Sequence, residues 1–140
     1  MIHIYTEGVD FPDIQEDKVK LWICNLVEIY SKRIGDLSLV FCSDKYILEV
    51  NRTYLQHDYY TDIITFDYCS GSQLSGDLII SLDTVLSNSR EFNSSYNTEL
   101  HRVIIHGVLH LLGYKDKTPI EAEEMRRNED QALKLFETIA

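Results

Sequence analysis

The sequence predicts an α+β domain, a four-stranded sheet with helices packed on it, and three observations carry that expectation. Segments with strand-like alternation or β-branched and aromatic runs are interleaved with segments whose apolar residues recur at helical spacing. The chain has 140 residues, the length of one domain, and 44% of them are hydrophobic, enough to fill a core. The stretch His106-Gly-Val-Leu-His110-Leu-Leu-Gly113-Tyr-Lys-Asp116 sets two histidines four apart, which on a helix share one face.

Taken in order, Ile2 to Thr6 alternates apolar and polar residues and reads as a short strand. Residues 7–17 are acidic and contain Pro12, so they form a loop leading into a helix. Val19, Trp22, Leu26, Ile29 and Tyr30 make a helical stripe that extends to about Ile34, with Gly35 as the stop. Leu37 to Cys42 is an apolar run of strand length, covered on both faces. Ser43 or Asp44 can cap a helix to about Leu55. Asp62 to Tyr68 and Leu74 to Ser81 read as strands joined by a turn at Ser70-Gly71-Ser72, with Gly76 marking a bulge or a close approach. A helix follows from Leu82 to about Phe92 and breaks at Asn93-Ser94-Ser95. The next begins near Tyr96, buries Leu100, Ile104, Val108 and Leu111, and carries Glu99, Arg102, His106 and His110 on another face. Thr118-Pro119-Ile120-Glu121 is a capping box with proline at the first helical position, and the last helix runs from there to about Thr138. No repeat or linker interrupts the chain, so residues 1–140 are expected to form one domain.

Composition narrows the function. The formal net charge is −10, from 13 basic and 23 acidic residues. Such a chain repels membranes and bulk nucleic acid, so a nucleic-acid role requires a local basic patch or a metal ion. Cys24, Cys42 and Cys69 form no CxxC and leave an odd one over, as in a reducing compartment. The first residues have no basic region before a long apolar run, so neither a signal peptide nor an anchor is expected, and a cytoplasmic enzyme fits best.

The chemistry concentrates at residues 106–116. Two imidazoles one helical turn apart can grip one metal ion, and Gly113 stands where a helix needs a left-handed residue to end. The chain then folds back and brings Asp116 as a third ligand. Three protein ligands leave a position open, the catalytic rather than the structural pattern of zinc. Zincin peptidases carry Glu after the first His as general base, and Gly107 stands there instead, which disfavours a peptidase. Elsewhere, Asp62 and Asp77 read as turn caps, Met125 as core, and Arg126-Arg127 as a solvated pair. Glu121, Glu123 and Glu124 suit a helix N-terminus. His57 lies in a polar loop and is a candidate for substrate contact.

With Glu121-Ala-Glu123-Glu124-Met125 after it, the 106–116 stretch resembles the YbeY family of bacterial endoribonucleases. Asn51-Arg-Thr-Tyr54 followed by Thr61-Asp62-Ile-Ile-Thr-Phe66 looks like that family's second motif, and Ser75-Gly76-Asp77-Leu-Ile-Ile-Ser81 like its third. The resemblance implies the family's compact α+β fold with a mixed sheet and zinc as the metal. It also implies single-stranded RNA as substrate class, particularly ribosomal RNA in maturation and quality control, and the small ribosomal subunit as partner. Two departures stand out. The third ligand is usually His, and Asp116 occupies the position; carboxylate oxygen is an acceptable zinc ligand, with His57 and Glu121 as alternatives. After the Asn51-x-x-Tyr54 motif the family usually carries an Arg tied to nuclease activity, and here Leu55 follows. Arg102, Lys115 and Lys117 are candidates to supply the missing positive charge.

The leading expectation is a zinc-dependent endoribonuclease with His106, His110 and Asp116 as ligands, His106 and Arg102 in catalysis, and His57 and Lys115 at the substrate. Attack by water or by the ribose 2′-OH stays open, because no general base is evident. Two other readings are a non-catalytic ribosome-assembly factor with structural zinc and a metzincin-like peptidase.

Overall fold

The structure is a computed structural model that describes residues 1–55 and 61–139. Its elements run β1 (Ile2–Glu7), α1 (Glu16–Ile29), β2 (Arg33–Cys42), α2 (Asp44–Leu55), β3 (Ile63–Asp67), β4 (Gln73–Ser81), α3 (Leu82–Glu91), α4 (Tyr96–Leu111) and α5 (Pro119–Glu137). The sheet order is β1-β2-β4-β3. β1 and β4 both pair parallel with β2, and β3 pairs antiparallel with β4. The sheet is therefore mixed, as expected, with β3 as one edge.

Alternation along the strands divides the core in two. Leu37, Leu39 and Phe41 of β2 join Leu74, Leu78 and Ile80 of β4 on one face, packed against α1, α4 and α5. On the other face Cys42, Ile64 and Ile79 meet Ile47 and Val50 of α2. β2 is thus covered on both sides, which accounts for its unbroken apolar run.

The helix ends show which local signals were strong. Ser43 Oγ accepts from the Tyr46 amide at the start of α2. Thr118 and Glu121 close the capping box of α5 reciprocally, at 3.1 and 3.0 Å. The first helix departs from expectation: α1 stops at Ile29, and Gly35 lies inside β2. Ser31 adopts φ 59°, and the amides of Ser31 and Lys32 bond the carbonyls of Glu28 and Val27. This is a Schellman turn with serine in the left-handed position that glycine usually takes, so the sequence carried no stop signal there. Gly35 instead sits where a Cβ would meet the side chains of Ser75 and Gln73.

The expected close approach at Gly76 is present. A Cβ there would lie 2.4 Å from the Phe66 carbonyl oxygen of β3. α4 is buried more completely than a single stripe implies: Val103, Ile105, Gly107 and Leu109 are also in the core, and Glu99 is 7% exposed. It crosses the sheet close to β3 and β4, and Gly107 permits this. A Cβ on Gly107 would stand 2.7 Å from Ile63 Cδ1 and 2.9 Å from Leu78 Cδ2.

Candidate metal centre

The histidines lie in the last two turns of α4, whose end is fixed by Gly113 at φ 106°. The amides of Gly113 and Tyr114 bond the carbonyls of His110 and Leu109, a second Schellman turn. The chain reverses there and returns Asp116 to the histidine face. His106 Nε2 and His110 Nε2 stand 3.0 Å apart, and Asp116 Oδ2 lies 3.2 Å from the first and 3.4 Å from the second. Donors arranged tetrahedrally around zinc at about 2.0–2.1 Å are about 3.3 Å from one another. The three atoms thus already have the separations of three corners of such a site, and these residues form the group among the described ones able to hold a metal.

The far sides of both rings are also engaged. His106 Nδ1 is 2.6 Å from Glu129 Oε2, and His110 Nδ1 is 3.0 Å from the Tyr114 carbonyl oxygen. A proton on each Nδ1 satisfies both bonds and leaves each Nε2 lone pair directed at the common point, the usual arrangement of metal-ligating histidines. Burial works against protonation of His106, but the hydrogen bond and charge of Glu129, with the charges of Asp116 and Asp62, outweigh it. The metal-free imidazole is held above its ordinary value of 6.5.

Glu129, 5% exposed, was not anticipated from the sequence. Its signal is an acid in the buried stripe of α5, between Met125 and Ala132. Arg102 completes the layer behind the histidine. Its guanidinium reaches Glu129 Oε1 at 3.0 Å and Asp130 Oδ1 at 2.8 Å.

The remaining candidates are distributed around this group. Lys115 and Lys117 are exposed on the loop that carries Asp116. Glu121 holds its carboxylate in the capping box, away from the triad. His57 lies outside the described residues. Leu55, at the position of the expected arginine, faces the same cleft as the triad. Met125 is buried in the core, as expected.

Two cavities of about 490 and 480 Å³ flank the triad, and Asp62, His106 and Asp116 line both. The first is walled by β3 and the end of α2, the second by α3, α4 and α5. Asp62 lies just before β3 and lines both cavities. Burial raises its pKa above the usual carboxylate range, while His106 and the backbone amides of Asp62 and Ile63 pull it down.

Fold and site together define a class: an α+β domain with a two-histidine, one-carboxylate group at the end of one helix, able to hold a metal ion beside an open cleft. The sequence profile described as "Endoribonuclease YbeY" matches residues 5–137. The chain is 58% identical over 136 residues to "Endoribonuclease YbeY" of Phocaeicola vulgatus, covering 97% of this chain and 99% of that one. To the protein of the same name from Bacteroides thetaiotaomicron it is 59% identical over 128 residues, 91% of this chain and 93% of that one. A solution structure of a Thermotoga maritima protein superposes with a TM-score of 0.69 at 26% identity, covering 97% of this chain and 89% of that one. The chain belongs to the YbeY endoribonuclease family. No helix among the described residues is long and apolar enough to cross a membrane.

Proposed function

We propose that this protein is a zinc-dependent endoribonuclease acting on single-stranded RNA. Its substrate class is ribosomal RNA in maturation, at the 3′ end of the small-subunit rRNA, and in ribosome quality control; the small ribosomal subunit is its partner, and the cytoplasm its compartment. The observation that carries the reading is the triad. Three donor atoms lie at mutual distances of 3.0, 3.2 and 3.4 Å, with both Nδ1 atoms engaged behind them, inside a chain of the YbeY family. Two nitrogens and one oxygen are a good donor set for zinc, with a fourth position left to substrate or water.

Zinc at this group would supply Lewis acidity to a phosphoryl oxygen and lower the pKa of a nearby water. The chain's own residues do the rest. Glu129 and the Tyr114 carbonyl fix ring orientation and tautomer. Arg102 spends its fork on Glu129 and Asp130, which suits a positioning role behind His106 better than a direct phosphate contact. Asp62 is a carboxyl in both cavities that lies outside the three-donor group and acts on His106 through its charge. It is the best candidate to take the proton of the attacking hydroxyl, whether from water or a ribose 2′-OH. His57 and Lys115 remain proposed substrate contacts.

The test is cleavage of a labelled single-stranded RNA by purified protein, comparing zinc-loaded, chelated and His110→Ala forms. Cleavage by the first form alone is expected; equal cleavage by all three would overturn the reading. The second reading, a non-catalytic assembly factor with structural zinc, is favoured by Leu55 in the cleft and by the net charge of −10. Stable ribosome co-sedimentation with no RNA cleavage would select it. The peptidase reading is weakened by packing. The Cβ direction at residue 107 points at Ile63 and Leu78, so a Glu there would head into the sheet and away from the triad.

A further inference from the structure

We infer that the second cavity, bounded by α3 and α5, is a nucleotide subsite that seats the base next to the scissile phosphate on Phe92 and meets a phosphate with Arg126. The inference rests on the RNA reading above and deepens it.

Phe92 is a large aromatic side chain 59% exposed at the cavity wall, where burial of an apolar ring is absent but contact with a base is open. Its backbone is anchored. Phe92 caps α3, its amide bonds the Asn88 carbonyl, and Asn93 follows at φ 52°. The amide of Ser94 reaches back to the Ser89 carbonyl and closes the turn. An exposed ring on an anchored backbone beside a cleft can act as a stacking platform, and every nucleobase presents a π-face to it. The Asn88 side chain lines the same cavity and supplies donors and an acceptor for a base edge.

Charge selects the phosphate contact. Of the two arginines in this cavity, Arg102 is committed to Glu129 and Asp130. Arg126 is exposed and forms no ion pair with a described residue. Its neighbour Arg127 lines neither cavity. Among the described residues of this cavity, Arg126 faces Glu99 by charge without closing an ion pair, so in a chain of net charge −10 it is the guanidinium here that can still meet a phosphate. Because Asp62, His106 and Asp116 are common to both cavities, the triad stands between them. A strand with its scissile phosphate at the triad leaves one flanking nucleotide in this cavity.

The experiment measures binding of a fluorescein-labelled 2′-O-methyl pyrimidine hexamer to zinc-loaded protein by anisotropy over a range of salt, with the oligomer's integrity checked on a gel. Phe92→Ala is expected to weaken binding roughly 5- to 150-fold, and Phe92→Tyr to restore it. Arg126→Gln should lower the slope of log affinity against log salt by about 0.7, while Arg127→Gln leaves it unchanged. Zinc stoichiometry and thermal midpoint should not move, since both side chains are exposed. If wild type binds the oligomer and cleaves RNA while Phe92→Ala and Arg126→Gln match it in affinity and salt slope, the subsite is wrong and the enzyme reading stands. If zinc-loaded wild type neither binds nor cleaves, the RNA reading falls and takes the subsite with it.

Discussion

His106 and Glu129 are joined at 2.6 Å between Nδ1 and Oε2, tying the metal-binding end of α4 to the buried face of α5. Glu129 is in turn held by Arg102, so an acid, a base and a guanidinium form one chain behind the triad. Carboxylates so placed raise the basicity of the ligating ring and fix its tautomer. Glu129→Gln keeps the shape and removes the charge. It is expected to weaken zinc affinity roughly 10- to 100-fold, read by competition with a chelating dye. Unchanged affinity would show that Glu129 serves the fold alone.

The same pair sets the pH range of metal uptake. With its pKa raised by Glu129, Asp116 and Asp62 against the effect of burial, metal-free His106 keeps its proton to a pH above 6.5. The proton-linked stability of the metal-free protein is full below 6.5 and is lost as pH rises through the folded value. Zinc requires the neutral ring, so its affinity falls on acidification, with the decline beginning above pH 6.5. Calorimetric titration in buffers of different ionisation enthalpy should show proton release near neutrality. A pH-independent affinity from 8 to 6 would contradict this.

Two glycines allow close approach in different places, Gly76 between β4 and β3 and Gly107 between α4 and the sheet. Gly76→Ala drives a Cβ into the backbone carbonyl of Phe66, which cannot swing aside. Gly107→Ala meets the ends of the Ile63 and Leu78 side chains, which can shift, and gains helix propensity. Overpacking costs about 1–3 kcal/mol, so Gly76→Ala belongs at the upper end or beyond and Gly107→Ala at the lower. Urea denaturation of the two variants measures the order; a larger loss at Gly107 would be inconsistent with these contacts.

Much of this was legible in the sequence, for local reasons. The HxxxHxxGxxD spacing encodes a helix face, a left-handed stop and a returning ligand, and each part depends only on near neighbours. The capping box at Thr118 and the close approach at Gly76 are equally local signals. What escaped depends on contacts distant in sequence. Glu129 is 23 residues from His106, and nothing near it says that its partner is a histidine. Arg102 looked available for phosphate because its two carboxylate partners lie 27 and 28 residues away. The end of α1 was misplaced because serine, not glycine, occupies the left-handed position at residue 31.

The cysteines offer a separate check on burial. Cys42 is fully buried, and desolvation, with Asp44, Asp83 and Glu7 nearby, pushes its thiol from 9.0 up to about 12. Its contribution to stability is intact below pH 9 and is lost as pH rises from 9 toward 12. Native protein at pH 8 should react with a thiol reagent fastest at exposed Cys69, slower at half-buried Cys24 and not at Cys42. Mass spectrometry of the labelled protein reads the order, and early modification of Cys42 would contradict its burial.

Most direct is X-ray absorption at the zinc edge on protein loaded with one equivalent of metal. Two imidazole nitrogens at about 2.0–2.1 Å and carboxylate oxygen at about 2.0–2.2 Å are expected, with the imidazole signal reduced in His110→Ala. Failure to take up one equivalent, or a shell without imidazole, would remove His106, His110 and Asp116 from the centre of the chemistry.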